Sequence, residues 1–101
     1  MGKDLYISTL LDVYGEFLSE KQKNITEHYY NDDLSLSEIA ENEGITRQGV
    51  SDIIKRSELQ LKTMEEKCRY AEMFLKLKEL AEEIRRGENK INDILDIIDE
   101  L

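Results

Sequence analysis

Five polar side chains at helical spacing are the best candidates in this chain for recognising another molecule. Arginine pairs with guanine edges or phosphates, glutamine with adenine edges, and lysine with phosphates. Residues three, four or seven apart share one face of a helix, so these side chains would project together. Asp52 on the same face repels phosphates, and an ordinary solvated helix face has a similar composition, so both interpretations stay open. The five candidates are Arg47, Gln48, Ser51, Lys55 and Arg56.

Other residues belong to types that can act in catalysis or bind metals, but each has a simpler structural explanation. Metal sites usually draw their ligands from a loop or from several elements, so four carboxylates within two helical turns indicate a solvated acidic face rather than a cation site. The sequence places no catalytic partner beside His28, and Cys68 is predicted to be a small core residue in an apolar stripe. We therefore predict no catalytic residue, no metal, no cofactor and no enzyme. The four carboxylates are Asp93, Asp96, Asp99 and Glu100.

The segment 34–62 has the spacing of a helix-turn-helix motif. Ser35 and Glu38 form a capping box that begins a short helix, and Gly44 ends it where a positive φ is needed. Thr46 is then an N-cap for a second helix. An ordinary helical hairpin would explain the glycine but not the joint placement of the apolar residues. Those predicted to pack inward are Ile39, Ala40, Ile45, Val50, Ile53 and Ile54.

Composition indicates an all-α protein. The chain has 101 residues, no proline, 37% charged residues and a net charge of −9. Segment 34–62 carries 4 basic and 5 acidic residues, against 3 and 7 in residues 1–33 and 7 and 11 in residues 63–101. The motif is thus the least acidic part of the chain. A protein that binds DNA mainly by electrostatic attraction is usually basic, so nonspecific binding to the phosphate backbone is disfavoured.

Helices are also predicted on both sides of the motif. The first should span Lys3 to Leu18, with a core stripe, and the second should follow a capping box of Ser19 and Gln22 and end near Tyr30. The stripe consists of Tyr6, Leu10, Val13, Tyr14 and Phe17, widened by Ile7, Leu11 and Leu18.

The C-terminal third lacks glycine and proline up to Gly87, which ends a helical pattern. We expect either a break between Thr63 and Tyr70 or one long projecting helix. Asn89 would cap a last helix. We predict a helical domain over residues 1–66 and a C-terminal helical extension over 67–101. The single cysteine fits a reducing cytoplasm, and neither a secretory signal nor an apolar run of 18 residues is visible.

Several residues carry a resemblance to region 4 of bacterial sigma factors and, more closely, to the small YlxM-like family. The similarity covers about residues 5–70. It rests on Tyr14, Phe17, Leu18, Ser19, Lys21 and Gln22, on Tyr29-Tyr30, and on the runs 33–40, 46–50 and 51–56. The resemblance implies a two-domain fragment of the sigma-factor type that acts in the signal recognition particle pathway, without catalytic residues.

We therefore expect a cytoplasmic, non-enzymatic accessory of the signal recognition particle that binds the particle's RNA or its GTPase through the motif. A DNA-binding transcription regulator is one alternative, with weak affinity for DNA. A protein–protein adaptor that uses the C-terminal helices is another. The final helix has six large apolar residues, which favours a homodimer through the C-terminal helices over docking on the same chain.

Overall fold

The computed structural model describes residues 4–101, and in this range the fold is all-α, as predicted. The residue Lys3, where the first helix was predicted to begin, lies outside the described range. Four helices and a short 3-10 turn form one compact unit that ends at Cys68, and two helices form a second unit, Arg69–Leu101. The helices are α1 (Leu5–Tyr14), α2 (Glu20–Tyr30), α3 (Leu36–Glu43), α4 (Arg47–Cys68), α5 (Tyr70–Arg85) and α6 (Ile91–Glu100).

Local capping fixes where the helices of the first unit begin. The Ser35 hydroxyl accepts a hydrogen bond from the Glu38 amide at 3.1 Å, and the Glu38 carboxylate accepts one from the Ser35 amide at 2.9 Å. Ser19 and Gln22 form the same reciprocal pair at the start of α2. Each box satisfies two backbone N–H donors at the start of a helix, so both predicted capping boxes are confirmed.

The predicted first helix is too long at its C-terminal end. It stops at Tyr14, and Gly15–Phe17 forms a 3-10 helix, whose tighter turn moves the following residues off the α-helical stripe. Phe17 is 73% exposed, so its prediction as a core residue is wrong. Tyr6 is 42% exposed because it lies at the margin of the stripe. The buried apolar residues of this region are Ile7, Leu10, Leu11, Tyr14 and Leu18.

The core of the first unit brings α2, α3 and α4 together. Ile25 of α2 meets Ile39 and Ala40 of α3 and Val50 and Ile54 of α4 in one buried cluster. Each fully buried isoleucine or valine side chain contributes about 1.5–3 kcal/mol to the free energy of folding. The four cluster residues of α3 and α4 are among those that indicate the helix-turn-helix spacing, and they are structural.

The break expected between Thr63 and Tyr70 occurs at Arg69. This residue has φ 58° and ψ 26°, a left-handed conformation that cannot continue a right-handed helix. Cys68 immediately before it is exposed, so its prediction as a core residue is wrong. The reason is that the helix ends there, and the apolar period of α4 does not run through to α5.

The second unit is a pair of helices joined by a short connection. Gly87 has φ 90° after the end of α5, as expected of a helix-terminating glycine. Lys90 is the N-cap of α6, and the Asn89 side chain accepts a hydrogen bond from the Ile91 amide at 3.3 Å, so α6 begins one residue later than predicted. Across the connection, Lys90 Nζ lies 3.7 Å from a Glu83 carboxylate oxygen. Within residues 4–101, no helix is both long and apolar enough to cross a membrane.

Candidate nucleic-acid interface

The turn between α3 and α4 fixes the position of the candidate face. Gly44 ends α3 with φ 69° and ψ 32°, and no side chain or backbone from elsewhere in the fold lies within 4 Å of the place where a Cβ would stand. Its amide and that of Ile45 both donate to the Ala40 carbonyl, which closes the helix end. The Thr46 hydroxyl accepts a hydrogen bond from the Gly49 amide at 2.9 Å, so α4 begins at once. The turn therefore determines the direction in which α4 leaves α3.

Core packing determines which side of α4 is exposed. Val50 is fully buried and Ile54 is 4% exposed, and both belong to the cluster that includes Ala40. The small side chain of Ala40 allows α4 to pack closely on α3. With Val50 and Ile54 turned inward, the opposite side of the first three turns of α4 projects into solvent.

That exposed side contains the five candidate residues. Arg47, Gln48, Lys55 and Arg56 are exposed, and Ser51 is half-buried at one edge. The three cations lie at both ends of this stretch, and the first of them stands in the first turn of the helix, where backbone N–H groups and the helix dipole also favour an anion. We call the five residues the α4 face.

One residue of the α4 face, Gln48, is hydrogen-bonded to a neighbouring carboxylate that is not part of the face. Gln48 Nε2 donates to an Asp52 carboxylate oxygen at 2.8 Å. The signal that could have revealed it is the i, i+4 spacing, at which such pairs meet on a helix surface. The bond holds the amide in one orientation, while its carbonyl oxygen and second N–H can still pair with a base edge. Asp52 thus positions a candidate base-reading side chain in addition to repelling phosphates.

A groove of about 170 Å³ lies beside the α4 face, and no pattern in the sequence indicates it. Tyr30 in this groove donates a hydrogen bond from its hydroxyl to Glu58. Burial, followed by this hydrogen bond, raises the pKa of Tyr30, so its phenol stays protonated and remains a donor. The ring centroids of Tyr29 and Tyr30 are 5.0 Å apart in an edge-to-face pair. The groove is lined by Tyr29, Tyr30, Leu36, Ser51, Ile54, Lys55 and Glu58.

The other residues singled out in the sequence gain no further support as a catalytic or metal site. His28 does have a carboxylate neighbour, since its Nδ1 lies 2.9 Å from Asp32, but this is an exposed i, i+4 pair on the surface. Among residues 4–101 there is no group of three or more histidine, cysteine or acidic side chains that could hold a metal ion. The α4 face with its groove is the best-defined candidate interface in this part of the chain.

The fold and the turn geometry define a helix-turn-helix protein of all-α type, a class that is typical of non-enzymes. The model of the UPF0122 family, described as YlxM/p13-like helix-turn-helix proteins, matches residues 1–101, and the chain belongs to this family.

Relatives of similar length occur in several bacteria. A UPF0122 protein of Clostridium kluyveri is 45% identical over 101 residues, covering 100% of this chain and 82% of the relative. One of Clostridium perfringens (strain SM101) is 43% identical over 98 residues, covering 93% and 88%. One of Thermoanaerobacter sp. is 42% identical over 103 residues, covering 96% and 88%.

Proposed function

We propose that this protein is a non-enzymatic accessory of the signal recognition particle pathway, and that its α4 face binds the particle's RNA. The observation that carries the proposal is the α4 face itself: three exposed cations and two polar side chains on the first turns of the second helix of a helix-turn-helix unit. The second helix is the one that reads nucleic acid in such motifs. The pathway itself is what the resemblance to the YlxM-like family implies, and the chain belongs to that family.

The charge pattern favours a structured RNA over duplex DNA. Only three cations stand on the α4 face, Asp52 lies among them, and the whole chain has a net charge of −9. Nonspecific binding to duplex DNA depends on neutralising many phosphates, which this surface cannot do. Recognition of RNA relies more on unpaired bases stacked on aromatic side chains. The groove offers Tyr29 and Tyr30 for such a base next to Lys55.

Each side chain then has a role set by its place on α4. Arg47 and Gln48, in the first turn, would contact base edges, with Gln48 held by Asp52. Lys55 and Arg56, two turns further on, would contact phosphates. The Ser51 hydroxyl, at the edge of the groove, would donate to or accept from a ribose or a base.

The experiment is a titration of the full chain against three partners at ~0.15 M salt. These are the particle's RNA, a duplex DNA of equal length, and the purified GTPase of the particle. The proposal predicts saturable binding to the RNA and at least tenfold weaker binding to the DNA. Equal or tighter binding to DNA would support a transcription regulator instead. Binding to the GTPase alone, with none to RNA, would also refute the proposal.

A further inference from the structure

The C-terminal unit leaves most of its apolar side chains uncovered. In Arg69–Leu101, the buried residues are Ala71 and Ile97. A helix as short as α6, with 10 residues, is marginal in water without packing partners. The large apolar residues that are exposed are Tyr70 (53%), Phe74 (39%), Leu75 (44%), Ile84 (40%), Ile91 (62%), Leu95 (49%), Ile98 (52%) and Leu101 (74%).

The exposed residues of α6 form one stripe. At about 100° per residue, Ile91, Leu95 and Ile98 lie within a narrow arc of the helix. Ile94 and Ile97 lie on one flank of this arc, and they are the half-buried and buried residues of α6. That flank faces α5, because Ile97 shares a cavity of about 270 Å³ with residues of α5 such as Leu80.

An equivalent stripe runs along α5. Leu80 lies on the flank of α5 that faces α6. At about 100° per residue, Ile84, Leu77 and Phe74 lie at increasing angles from Leu80 around the helix. Because α5 and α6 are antiparallel neighbours joined by a short connection, these arcs open on the same side of the pair. We call this side the hairpin face; it consists of Phe74, Leu77, Ile84, Ile91, Leu95 and Ile98.

We propose that the hairpin face binds the same face of a second copy of this chain, forming a four-helix bundle around a two-fold axis. Two antiparallel helices with one uncovered apolar side are half of such a bundle. Five exposed large apolar residues and the half-buried Leu77, gathered on one side, exceed the scattered exposure that is usual for a monomer. A closed two-fold contact buries the face on both copies at once.

The charges at the borders of the hairpin face favour one of the two possible orientations of the two-fold axis. The outer border of α5 carries Lys78 and Arg85, and Lys78 Nζ lies 5.0 Å from the centre of the Phe74 ring. Arg85 is paired with Glu82 of the same helix, so Lys78 is the cation of this border that a second copy would meet. The outer border of α6 carries Asp99. A two-fold axis parallel to the helices places α5 of one copy over α6 of the other, so that the basic border meets the acidic one. A perpendicular axis would pair like borders.

The remaining carboxylates of α6 do not oppose this contact. Asp93, Asp96 and Glu100 lie on the arc opposite the stripe. They point away from the second copy: Asp93 and Asp96 line the cavity shared with α5, and Glu100 is exposed. A basic amphipathic helix from another protein would find few carboxylates at the hairpin face, which favours a second copy as its occupant.

Sedimentation of the full chain over a wide concentration range tests the proposal, with a reducing agent present because Cys68 is exposed. The expected result is a monomer–dimer equilibrium or a stable dimer. Ile98→Glu should raise the dissociation constant at least about tenfold, since each dimer loses two buried side chains. Glu100→Lys, at an exposed position on the opposite arc, is the control and should leave the dissociation constant unchanged. A parent chain that is monomeric at all concentrations overturns the proposal.

A charge exchange tests the arrangement on folded variants. Lys78→Glu and Asp99→Lys should each raise the dissociation constant by a factor of about three, as exposed ion pairs do. The double variant should recover the parent value, because the borders are exchanged and not removed. Additive losses in the double variant would refute the pairing of α5 with α6 of the second copy.

Discussion

Thr26 offers a test of the core that does not involve the α4 face. It is fully buried in α2, and its hydroxyl oxygen has no hydrogen-bond partner among residues 4–101. A buried hydroxyl without a partner costs about 1–3 kcal/mol in mutational data. Thr26→Val replaces the hydroxyl by a methyl group of nearly the same shape, and the two residues have similar helix propensities.

We therefore expect Thr26→Val to raise the free energy of unfolding by about 1–2 kcal/mol. For a chain of this size, that corresponds to a rise in Tm of roughly 5 °C or more. Thermal and urea unfolding followed by circular dichroism are the assays. Thr26→Ser keeps the hydroxyl and loses a methyl group, so it should lower stability by about 1 kcal/mol. A Thr26→Val variant that is less stable than the parent would contradict this prediction and would indicate that the hydroxyl has a favourable partner.

Three further predictions concern stability. Gly44→Ala should lower the free energy of unfolding by about 1–2 kcal/mol because of its φ of 69°. Gly15→Ala should raise it by about 0.4–1 kcal/mol, since φ is −55° and an added Cβ would lie 3.7 Å from the nearest side-chain atom. Urea titrations compare the two variants. Val50→Asp buries an unpaired charge in the core and should remove most of the stability of the first unit, as a thermal melt would show. Because the pKa of Tyr30 is raised in the folded state, the free energy of unfolding should fall as pH rises above the ordinary value of 10.0, and Tyr30→Phe should reduce this fall.

Local chemistry made much of the fold predictable from the sequence. Capping boxes, the turn glycine and the threonine cap act within three or four residues, so their partners are visible in the sequence. Ser35, Gly44 and Thr46 therefore indicated both ends of the turn correctly. The apolar spacing of Val50 and Ile54 then identified the buried side of α4.

Features that depend on distant residues were not predictable in the same way. The 3-10 turn begins at Gly15, a residue of low helix propensity, but this residue alone does not show that Phe17 becomes exposed. The left-handed residue Arg69 is not a glycine, so the position of the break was known only as a range.

The α4 face shows the same division between local and distant contacts. The sequence predicted which of its residues are exposed, because these follow from helical period. The groove depends on the pairing of Tyr30 with Glu58, which are 28 residues apart and belong to different helices. A pattern within one helix cannot reveal such a pair.

Reversal of two charges on the α4 face is the most direct test of its role. Arg47→Glu with Lys55→Glu alters exposed residues only, so the helical content should not change. Lys21→Glu with Lys67→Glu is the matched control, since it makes the same change in net charge at exposed positions elsewhere in the first unit. Binding of the full-length variants to the particle's RNA is measured by fluorescence anisotropy at several salt concentrations.

We expect the control to bind within about threefold of the parent, whereas the variant of the α4 face should lose binding by about 100-fold or more. With three cations on the face, the parent should show a shallow salt dependence, with a slope of log K against log salt between about −2 and −3. Equal losses of RNA affinity in the two double variants, or no loss in either, would contradict the assignment of the α4 face as the RNA-binding surface.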